Sequence, residues 1–295
     1  MSVLSNLNSK KKFLIIGGDS NIGIELFSFL NLLNCDVSRT TRNHLLLDSS
    51  YIYLDLEKIE SIDKIQTNYD FVIFCAAMTS VNKCEEIPSI AYDINYHNTF
   101  ILAEKFIKNG CFTIFFSTSQ VFSGINGIEK VQNTTNPITV YGKSKDLLEK
   151  KLLLYNKNVS IIRTTKIIFK KYNLFDSWVS TLESKKPIYP FNDIYFSPIS
   201  IQYLLSAVTK IINEKIIGLN QISSKNDILY ADAAYYIADK LKLDFNLIIP
   251  KSLIETNIKF CPKFTLLESN LFDTSNVPSS KSALDYYIFN KKWKE

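Results

Sequence analysis

Short apolar runs alternate with longer amphipathic segments through the first half of the chain. The run "KFLIIGG" ends in glycine, and "NIGIELFSFLNLLN" follows it with apolar residues at helical spacing. Further strands are predicted at "DVSRTT", "DFVIFCAA", "CFTIFFST" and "NVSIIRTT", with helices that include "SIAYDINYHNTFILAEKFIKNG" and the segment 141–155. Strands that alternate with helices predict a parallel sheet covered on both faces by right-handed crossovers.

The pattern changes after about residue 165. The segment "KKPIYPFNDIYFSPIS" is rich in proline and aromatic residues, and it precedes a predicted helix "IQYLLSAVTKIINEK", a strand "GLNQIS" and a helix "ADAAYYIADKLKL". We therefore expect an α/β fold. Residues 12–165 should form a doubly wound parallel sheet, and residues 166–295 a smaller, more irregular lobe that returns some segments to the sheet.

Composition restricts the function only loosely. Of the 295 residues, 46% are hydrophobic and 21% are charged, which is typical of a folded soluble protein. The 34 basic and 29 acidic residues give a net charge of +5, but the lysines are scattered and no basic stripe suggests a nucleic-acid partner. A mildly basic surface suits an anionic substrate such as a nucleotide, although solvated lysines explain the same charge.

Cysteine spacing and hydropathy indicate the compartment. The five cysteines show no CxxC motif and no cluster with histidine, so we expect neither a disulfide framework nor a metal site. The segment "MSVLSNLNSKKK" lacks a hydrophobic signal region, and no apolar run reaches the roughly 18 residues of a membrane span. We expect a cytoplasmic protein with no membrane partner.

A glycine-rich loop joins the first predicted strand to the first predicted helix. A Rossmann fold places a dinucleotide pyrophosphate over small residues at this point, near the positive end of the helix. Its position directly after "FLII" and before an amphipathic helix favours a cofactor site over a plain turn. The candidate cofactor-binding loop contains Gly17, Gly18, Asp19, Ser20, Asn21, Ile22 and Gly23. We therefore expect residues 12–165 to form an NAD(P)-binding, Rossmann-type domain and residues 166–295 to form a smaller substrate-binding lobe.

The end of the second strand bears on the choice between the two nicotinamide dinucleotides. An acidic residue there would accept the ribose 2′-hydroxyl of NAD(H), but the strand ends "SRTTR" with no acid before Asp48. Arg39 or Arg42 could instead pair with the 2′-phosphate of NADP(H). This favours NADP(H) over NAD(H), with solvated arginines as the alternative interpretation.

Tyr141 and Lys145 in "VYGKSKDLLEK" are four residues apart and fall on one face of a helix. A neighbouring ammonium favours the phenolate, so we expect Lys145 to lower the tyrosine pKa from about 10 towards the range of a general acid or base. What distinguishes this pair is its position after the glycine-rich loop and after "FFSTSQVF", a strand that ends in hydroxyls. The same spacing recurs at Tyr236/Lys240 and Tyr287/Lys291.

Three segments that follow the loop in order carry a family resemblance. "FVIFCAAMTSVNKCEEIPSIAYDINYHNT", "FFSTSQVFSG" and "VYGKSKDLLEK" resemble the extended short-chain dehydrogenase/reductases, and in particular the dTDP-4-dehydrorhamnose reductase-like (RmlD-like) sugar-nucleotide reductases. The resemblance is strongest over residues 13–165 and continues more faintly through "YFSPISI" and "GLNQIS". It implies an oxidoreductase of deoxysugar biosynthesis that reduces a nucleotide-linked 4-keto-6-deoxy sugar with NAD(P)H.

The resemblance also implies roles for individual residues. Tyr141 would donate a proton to the sugar carbonyl, Lys145 would tune the tyrosine and hold the nicotinamide ribose, and Thr118 would bind the carbonyl oxygen. Ser119 and Gln120 would lie near the substrate. The remaining cofactor contacts that it implies are Asp55 and Leu56 against the adenine, Ala76, Ala77 and Met78 along the middle of the cofactor, and Asn95 in ordering the site. Helix packing is the alternative role for Asn95.

Three departures from the family pattern leave the substrate open. Ser20 stands at the middle glycine of the loop, where it still offers a hydroxyl, and Lys166 stands where an aromatic residue is frequent. The usual "STDYVF" reads "STSQVF", so Ser119 and Gln120 replace an acid and an aromatic residue. The resemblance also argues against a sugar-nucleotide 4,6-dehydratase, because those enzymes carry an Asp–Glu pair after the threonine.

Two other functions remain on the same scaffold. One is a nucleotide-sugar epimerase that oxidises and re-reduces one carbon with a retained cofactor. The other is a non-catalytic, NADP-binding regulatory subunit like the beta subunit of methionine adenosyltransferase, against which the retention of Thr118, Tyr141 and Lys145 argues. The apolar faces of the helices near 90–108 and 141–155 fit either a homodimer interface or packing on the sheet.

Overall fold

The computed structural model describes residues 11–256, 258 and 260–292. Most of the N-terminal segment that bears on a signal peptide therefore lies outside the described residues. The chain divides into two units. Unit 1 comprises Met1–Phe122, Thr135–Arg163 and Leu205–Asn220, and unit 2 comprises Ser123–Thr134, Thr164–Leu204 and Gln221–Glu295.

The described part of the chain contains the following strands and α-helices. The strands are β1 (Lys12–Ile16), β2 (Asp36–Thr41), β3 (Tyr51–Tyr53), β4 (Phe71–Phe74), β5 (Phe112–Thr118), β6 (Ile128–Glu129), β7 (Val159–Thr164), β8 (Ile167–Ile168), β9 (Tyr195–Phe196), β10 (Ile199–Ser200), β11 (Gly218–Ile222), β12 (Ile228–Leu229) and β13 (Leu266–Leu267). The helices are α1 (Asn21–Leu32), α2 (Ile59–Asp63), α3 (Val81–Glu86), α4 (Pro88–Tyr92), α5 (Asn98–Lys108), α6 (Val140–Leu153), α7 (Asn173–Glu183), α8 (Ile201–Glu214), α9 (Tyr230–Leu241) and α10 (Ser280–Lys292).

The main sheet has seven strands in the order β11-β7-β5-β4-β1-β2-β3. Strand β1 pairs in parallel with β2 and β4, and the β2–β3 and β4–β5 pairs are parallel as well. All seven residues of β5 and all four of β4 are buried, as expected for strands covered on both faces. This arrangement confirms the predicted Rossmann-type α/β fold. It also brings the carboxyl ends of these strands to one edge.

Helices α5 and α6 close one side of unit 1. Phe74 and Phe115 stack at a centroid distance of 4.3 Å, and both belong to a buried cluster with Phe106 of α5 and Leu152 of α6. Each large apolar side chain buried in this way contributes about 1.5–3 kcal/mol to folding. The cluster therefore fixes α6, which carries Tyr141 and Lys145, against the sheet.

The segment predicted as one long helix near 89–110 is interrupted. Helix α4 ends at Tyr92, a π-helical turn spans Asp93–His97, and α5 then continues to Lys108. A π-helical turn widens the helix locally and is frequent at functional sites. Here it carries Asn95, which is 1% exposed.

Unit 2 is built from short strand pairs and three helices. Strands β8 and β10 pair in parallel, β9 and β12 antiparallel, and β6 and β13 in parallel. Its core contains Phe175 and Trp178 of α7, Phe196 and Tyr287. No helix among residues 11–256, 258 and 260–292 has both the length and the apolar character that a membrane crossing requires.

The two other Tyr/Lys pairs with the same spacing make structural contacts in unit 2. The Tyr287 hydroxyl donates a hydrogen bond to Asp176 at 3.0 Å, and the Lys291 ammonium lies 2.9 Å from the same carboxylate. The Tyr236 hydroxyl donates to Asp285 at 2.7 Å. These contacts join helices, which distinguishes both pairs from Tyr141/Lys145.

Candidate active site

The glycine-rich loop packs too closely for side chains at three of its positions, Gly17, Gly18 and Gly23. Gly17 has φ +80°, and a Cβ there would lie 2.6 Å from the backbone nitrogen of Ala76. A Cβ on Gly23 would lie 2.3 Å from the Gly17 carbonyl oxygen. The loop therefore lies directly against the start of α1 and the end of β4, as the sequence position of the glycines predicts.

Ser20 caps helix α1 with its side chain. Its Oγ donates to the Gly17 carbonyl at 2.7 Å and accepts from the Gly23 N–H at 3.1 Å. The Ser20 hydroxyl, which replaces the middle glycine of the family pattern, is thus used within the loop. The N–H groups of Asn21 and Ile22 belong to the first turn of α1, where a helix supplies no acceptor of its own. These groups and the positive helix end fit a pyrophosphate.

The two candidate arginines have different surroundings in the structure. The Arg39 guanidinium lies between two aromatic rings, 3.6 Å from the centroid of Phe27 and 3.8 Å from that of Tyr51. Arg39 also adjoins the loop, because a Cβ on Gly18 would come within 2.4 Å of its side chain. Arg42 is 68% exposed and forms an ion pair with Glu57 at 3.1 Å. Arg39 is therefore the better-placed candidate for a phosphate.

Further contacts fix the edge of the sheet where the strands end. The Thr41 hydroxyl donates to the Asp19 carboxylate at 2.7 Å, which ties the loop to β2. Asp55 and Leu56 follow β3, and the Leu56 carbonyl accepts a hydrogen bond from the Asn98 side chain at 2.7 Å. The sequence did not suggest a role for Asn98.

Asn95 holds the segment that follows β4. Its Oδ1 accepts from the Met78 N–H at 2.8 Å, and its Nδ2 donates to the Met78 carbonyl at 3.0 Å. Ala76 is tied to β1 through its N–H, which donates to the Ile16 carbonyl at 2.9 Å. Ala76, Ala77 and Met78 are thus held beside the glycine-rich loop, and Asn95 orders this segment directly.

Tyr141 lies in the first turn of α6 and meets Thr118 at the end of β5. The Thr118 hydroxyl lies close enough to the Tyr141 phenol to affect its pKa, and both residues are 8% exposed. Lys145, one turn further along α6, is also 8% exposed. The structure therefore brings Thr118 and Tyr141 into contact and buries Lys145 on the same helix.

The expectation that Lys145 lowers the pKa of Tyr141 below its usual value was wrong. Burial raises the Tyr141 pKa to about 12; the nearby Cys84 adds to this rise, and the Thr118 hydroxyl opposes it. Burial is decisive because the charged phenolate loses its hydration. Tyr141 is therefore protonated at neutral pH, which is the form that can give up a proton.

Burial also acts on Lys145 itself. It lowers the lysine pKa to about 8, while Glu149 and then Cys75 act in the opposite direction. Glu149 lies one turn beyond Lys145 and is held by Arg163 of β7. The Arg163 Nε lies 3.1 Å from both carboxylate oxygens, and Nη2 lies 2.7 Å from Oε2. The spacing Tyr141, Lys145, Glu149 could have revealed this residue in the sequence.

The residues after Thr118 lie against the start of α6. The Gln120 N–H donates to the Thr118 hydroxyl at 3.2 Å, and the Gln120 side-chain oxygen accepts from Thr139 at 3.5 Å. A Cβ on Gly142 would lie only 2.2 Å from the Gln120 carbonyl oxygen. Gly142 therefore permits the close approach that brings Tyr141 to Thr118. Ser119, which lies between Thr118 and Gln120 in the sequence, is half-buried.

Within the described ranges, no group of three or more histidine, cysteine, aspartate or glutamate residues is placed to hold a metal ion. Around Tyr141 the site offers the Thr118 hydroxyl and the Lys145 ammonium, which suit proton transfer, and the glycine-rich loop adjoins the Arg39 guanidinium, which suits an anion.

Residues 11–260 match the family model described as the RmlD substrate binding domain. The chain belongs to this family. The match extends from β1 through most of the described chain, and it confirms the resemblance that the sequence motifs indicated. The matched range includes the candidate site in unit 1 and much of unit 2.

Three curated relatives of this RmlD-family chain have different names. The spore coat polysaccharide biosynthesis protein SpsK of Bacillus subtilis is 28% identical over 68% of this chain and 69% of its own length. The dTDP-4-dehydrorhamnose reductase of Salmonella typhimurium is 26% identical over 62% of this chain and 63% of its own. The methionine adenosyltransferase 2 subunit beta of Bos taurus is 28% identical over 43% of this chain and 41% of its own. The matches to the last two span less than two thirds of those proteins.

A solved structure shows the same fold over nearly the whole RmlD-family chain. The dTDP-4-dehydrorhamnose reductase of Bacillus anthracis, crystallised in complex with NADP, has a TM-score of 0.84 and 22% identity. The similarity covers 95% of this chain and 99% of that one.

Proposed function

We propose that this chain is an NADPH-dependent reductase of a nucleotide-linked 4-keto-6-deoxy sugar. The observation that carries the proposal is the pair of neighbouring buried side chains Thr118 and Tyr141, with Lys145 buried on the same helix and the glycine-rich loop in the same unit. A polar pair of this kind in a buried setting can stabilise charge that develops on a carbonyl oxygen. The names of the curated reductases support the same reaction.

In this proposal Tyr141 is the acid of the reaction. NADPH, when bound, supplies the hydride to the carbonyl carbon. The carbonyl oxygen gains negative charge, and Tyr141 donates its phenolic proton to that oxygen while the Thr118 hydroxyl orients it. A pKa of about 12 keeps Tyr141 protonated before the reaction, and an alkoxide is a stronger base than a phenolate. Lys145 supplies positive charge near the cofactor and the tyrosine.

The proposed cofactor contacts follow from the loop and the strand ends. The N–H groups of Asn21 and Ile22 would bind the pyrophosphate, and Arg39 would pair with the 2′-phosphate through charge-assisted hydrogen bonds. The NADP complex of the Bacillus anthracis protein supports this choice. Asp55 and Leu56 would border the adenine, and residues 76–78 would border the middle of the cofactor.

For the substrate, Ser119 and Gln120 would lie nearest the sugar, and residues 166–295 would recognise the remainder of the nucleotide sugar. The relatives that are named for dTDP-4-dehydrorhamnose make a dTDP-linked sugar the first substrate to test.

The decisive experiment separates a reductase from an epimerase. The protein is mixed with NADPH and dTDP-4-dehydrorhamnose, and both cofactor absorbance and sugar products are followed. A reductase oxidises one NADPH for each sugar reduced. Conversion of the sugar to an isomer without net loss of NADPH would instead establish the epimerase.

A regulatory subunit is the second candidate, and the bovine beta subunit among the relatives favours it. Tyr141→Phe removes the phenolic proton and leaves the ring in place. We expect this variant to bind NADPH as the wild type does, with turnover lower by about 10²–10⁴-fold, the usual contribution of a general acid. Unchanged turnover in the variant would exclude Tyr141 as the acid.

A further inference from the structure

Glu85 reaches the start of helix α6 from a distant part of the sequence. Its Oε1 accepts a hydrogen bond from the Val140 N–H at 2.7 Å, across 55 residues of chain. Glu85 is half-buried, whereas its neighbour Glu86 is exposed. The structure places both glutamates at the end of α3, and it gives Glu85 a specific partner.

The hydrogen bond matters because Tyr141 is the second residue of α6. The N–H groups in the first turn of a helix have no acceptor within the helix, so this turn frays unless other groups bind them. The Thr139 hydroxyl accepts from the Gly142 N–H at 2.9 Å. Glu85 binds the Val140 N–H, and its negative charge is favourable at a helix N-terminus.

Helix α3 also contacts the Tyr141 side chain and the segment beside the glycine-rich loop. Cys84 packs in a buried cluster with Tyr141, and its Sγ donates to the Met78 carbonyl at 3.3 Å. Met78 in turn is held by Asn95. Helix α3 therefore touches both the phenol and the segment proposed to border the cofactor, and Glu85 is its contact with the backbone of α6.

We propose that Glu85 is a positioning residue, which fixes the first turn of α6 and thereby the location of the Tyr141 phenol. The role rests on the proposed function, because it is exerted on the proton donor of that reaction. It requires an oxygen acceptor at this position and does not require a charge. Glutamine should therefore replace glutamate, and alanine should not.

The test compares Glu85→Ala, Glu85→Gln and the matched control Glu86→Ala. For Glu85→Ala we expect kcat to fall about 10- to 100-fold, since small displacements of a catalytic group cost that much, while the KM for NADPH stays within about twofold. Glu85→Gln should recover most of the lost turnover. Glu86→Ala should behave as the wild type.

Amide hydrogen exchange of residues 139–142 provides a readout that needs no turnover. Exchange should be faster in Glu85→Ala and return to the wild-type rate in Glu85→Gln. Wild-type kcat in Glu85→Ala, or equal impairment of both variants, would overturn the positioning role. An inactive wild type would instead refute the proposed reductase, and the exchange rates would still decide whether Glu85 fixes this turn.

Discussion

Replacing Lys145 with methionine should make the protein more stable at neutral pH, while the proposed turnover falls. Lys145 is 8% exposed, and burial is the largest influence on its pKa. Methionine fills a similar volume without a charge, so the variant removes the penalty of holding an ammonium in a poorly hydrated site. Active sites commonly trade stability for function in this way.

The magnitude follows from the pKa of the lysine. Folding lowers it from 10.5 to about 8. A difference of one in pKa corresponds to about 1.4 kcal/mol, so the charged lysine costs the folded state about 3 kcal/mol. Between pH 8 and 10.5 the unfolded chain binds more protons than the folded one, and wild-type stability therefore rises with pH across this window. The advantage of the variant is full below pH 8 and disappears above 10.5.

The assay is urea denaturation of wild type, Lys145→Met and the control Lys143→Met at a series of pH values. Lys143 is exposed on the same helix, so its replacement should change stability little at any pH. At each pH the free energy of unfolding of wild type is subtracted from that of Lys145→Met, and this difference cancels the contribution of the other titrating groups. A variant no more stable than wild type at pH 7, or stability curves that stay parallel from pH 8 to 10.5, would refute the reasoning.

Three further outcomes are expected. Arg39→Ser should raise the KM for NADPH about 10- to 100-fold, the loss of affinity expected for one charge-assisted hydrogen bond, and should change the KM for NADH little. Arg42→Ser should change neither KM, and steady-state kinetics with both cofactors check this. Gly142→Ala should lower stability by about 1–3 kcal/mol in thermal melts, because the alanine Cβ would lie 2.2 Å from the Gln120 carbonyl oxygen. Alanine favours helices more than glycine does, so a raised Tm would show that this contact is not tight. The pH–rate profile of reduction should decline above about 8 as Lys145 loses its proton, and a flat profile through pH 9 would contradict that role.

Local pattern was sufficient to predict the strand and helix on either side of the glycine-rich loop. The strand, the glycine-rich loop and helix α1 follow one another within about twenty residues, and the apolar spacing of each element is unambiguous. The Rossmann-type fold and the family resemblance inferred from such segments are confirmed. The π-helical turn at Asp93–His97 was not predicted, because its residues continue the apolar spacing of the helices on either side.

The sequence could not supply quantities that depend on burial or on distant contacts. Spacing placed Lys145 near Tyr141, but the pKa of the tyrosine depends on how much water the fold removes, and burial reverses the expected direction. Glu85 meets Val140 across 55 residues, and no local pattern indicates that hydrogen bond. The Arg163–Glu149 pair is missed for the same reason, since it joins a strand to a helix.

The position of Arg39 between Phe27 and Tyr51 has a consequence for how cofactor preference can change. A free arginine side chain loses about 2 kcal/mol of rotamer entropy when it is immobilised. The two rings have already restricted Arg39, so an anion that binds it meets a preorganised partner. In the proposed pairing of Arg39 with the 2′-phosphate, mutations at Phe27 or Tyr51 would therefore weaken the preference for a phosphorylated cofactor while every charge in the site stays the same. Cofactor selectivity in such a site can change through substitution of its aromatic residues, without any change in the arginine.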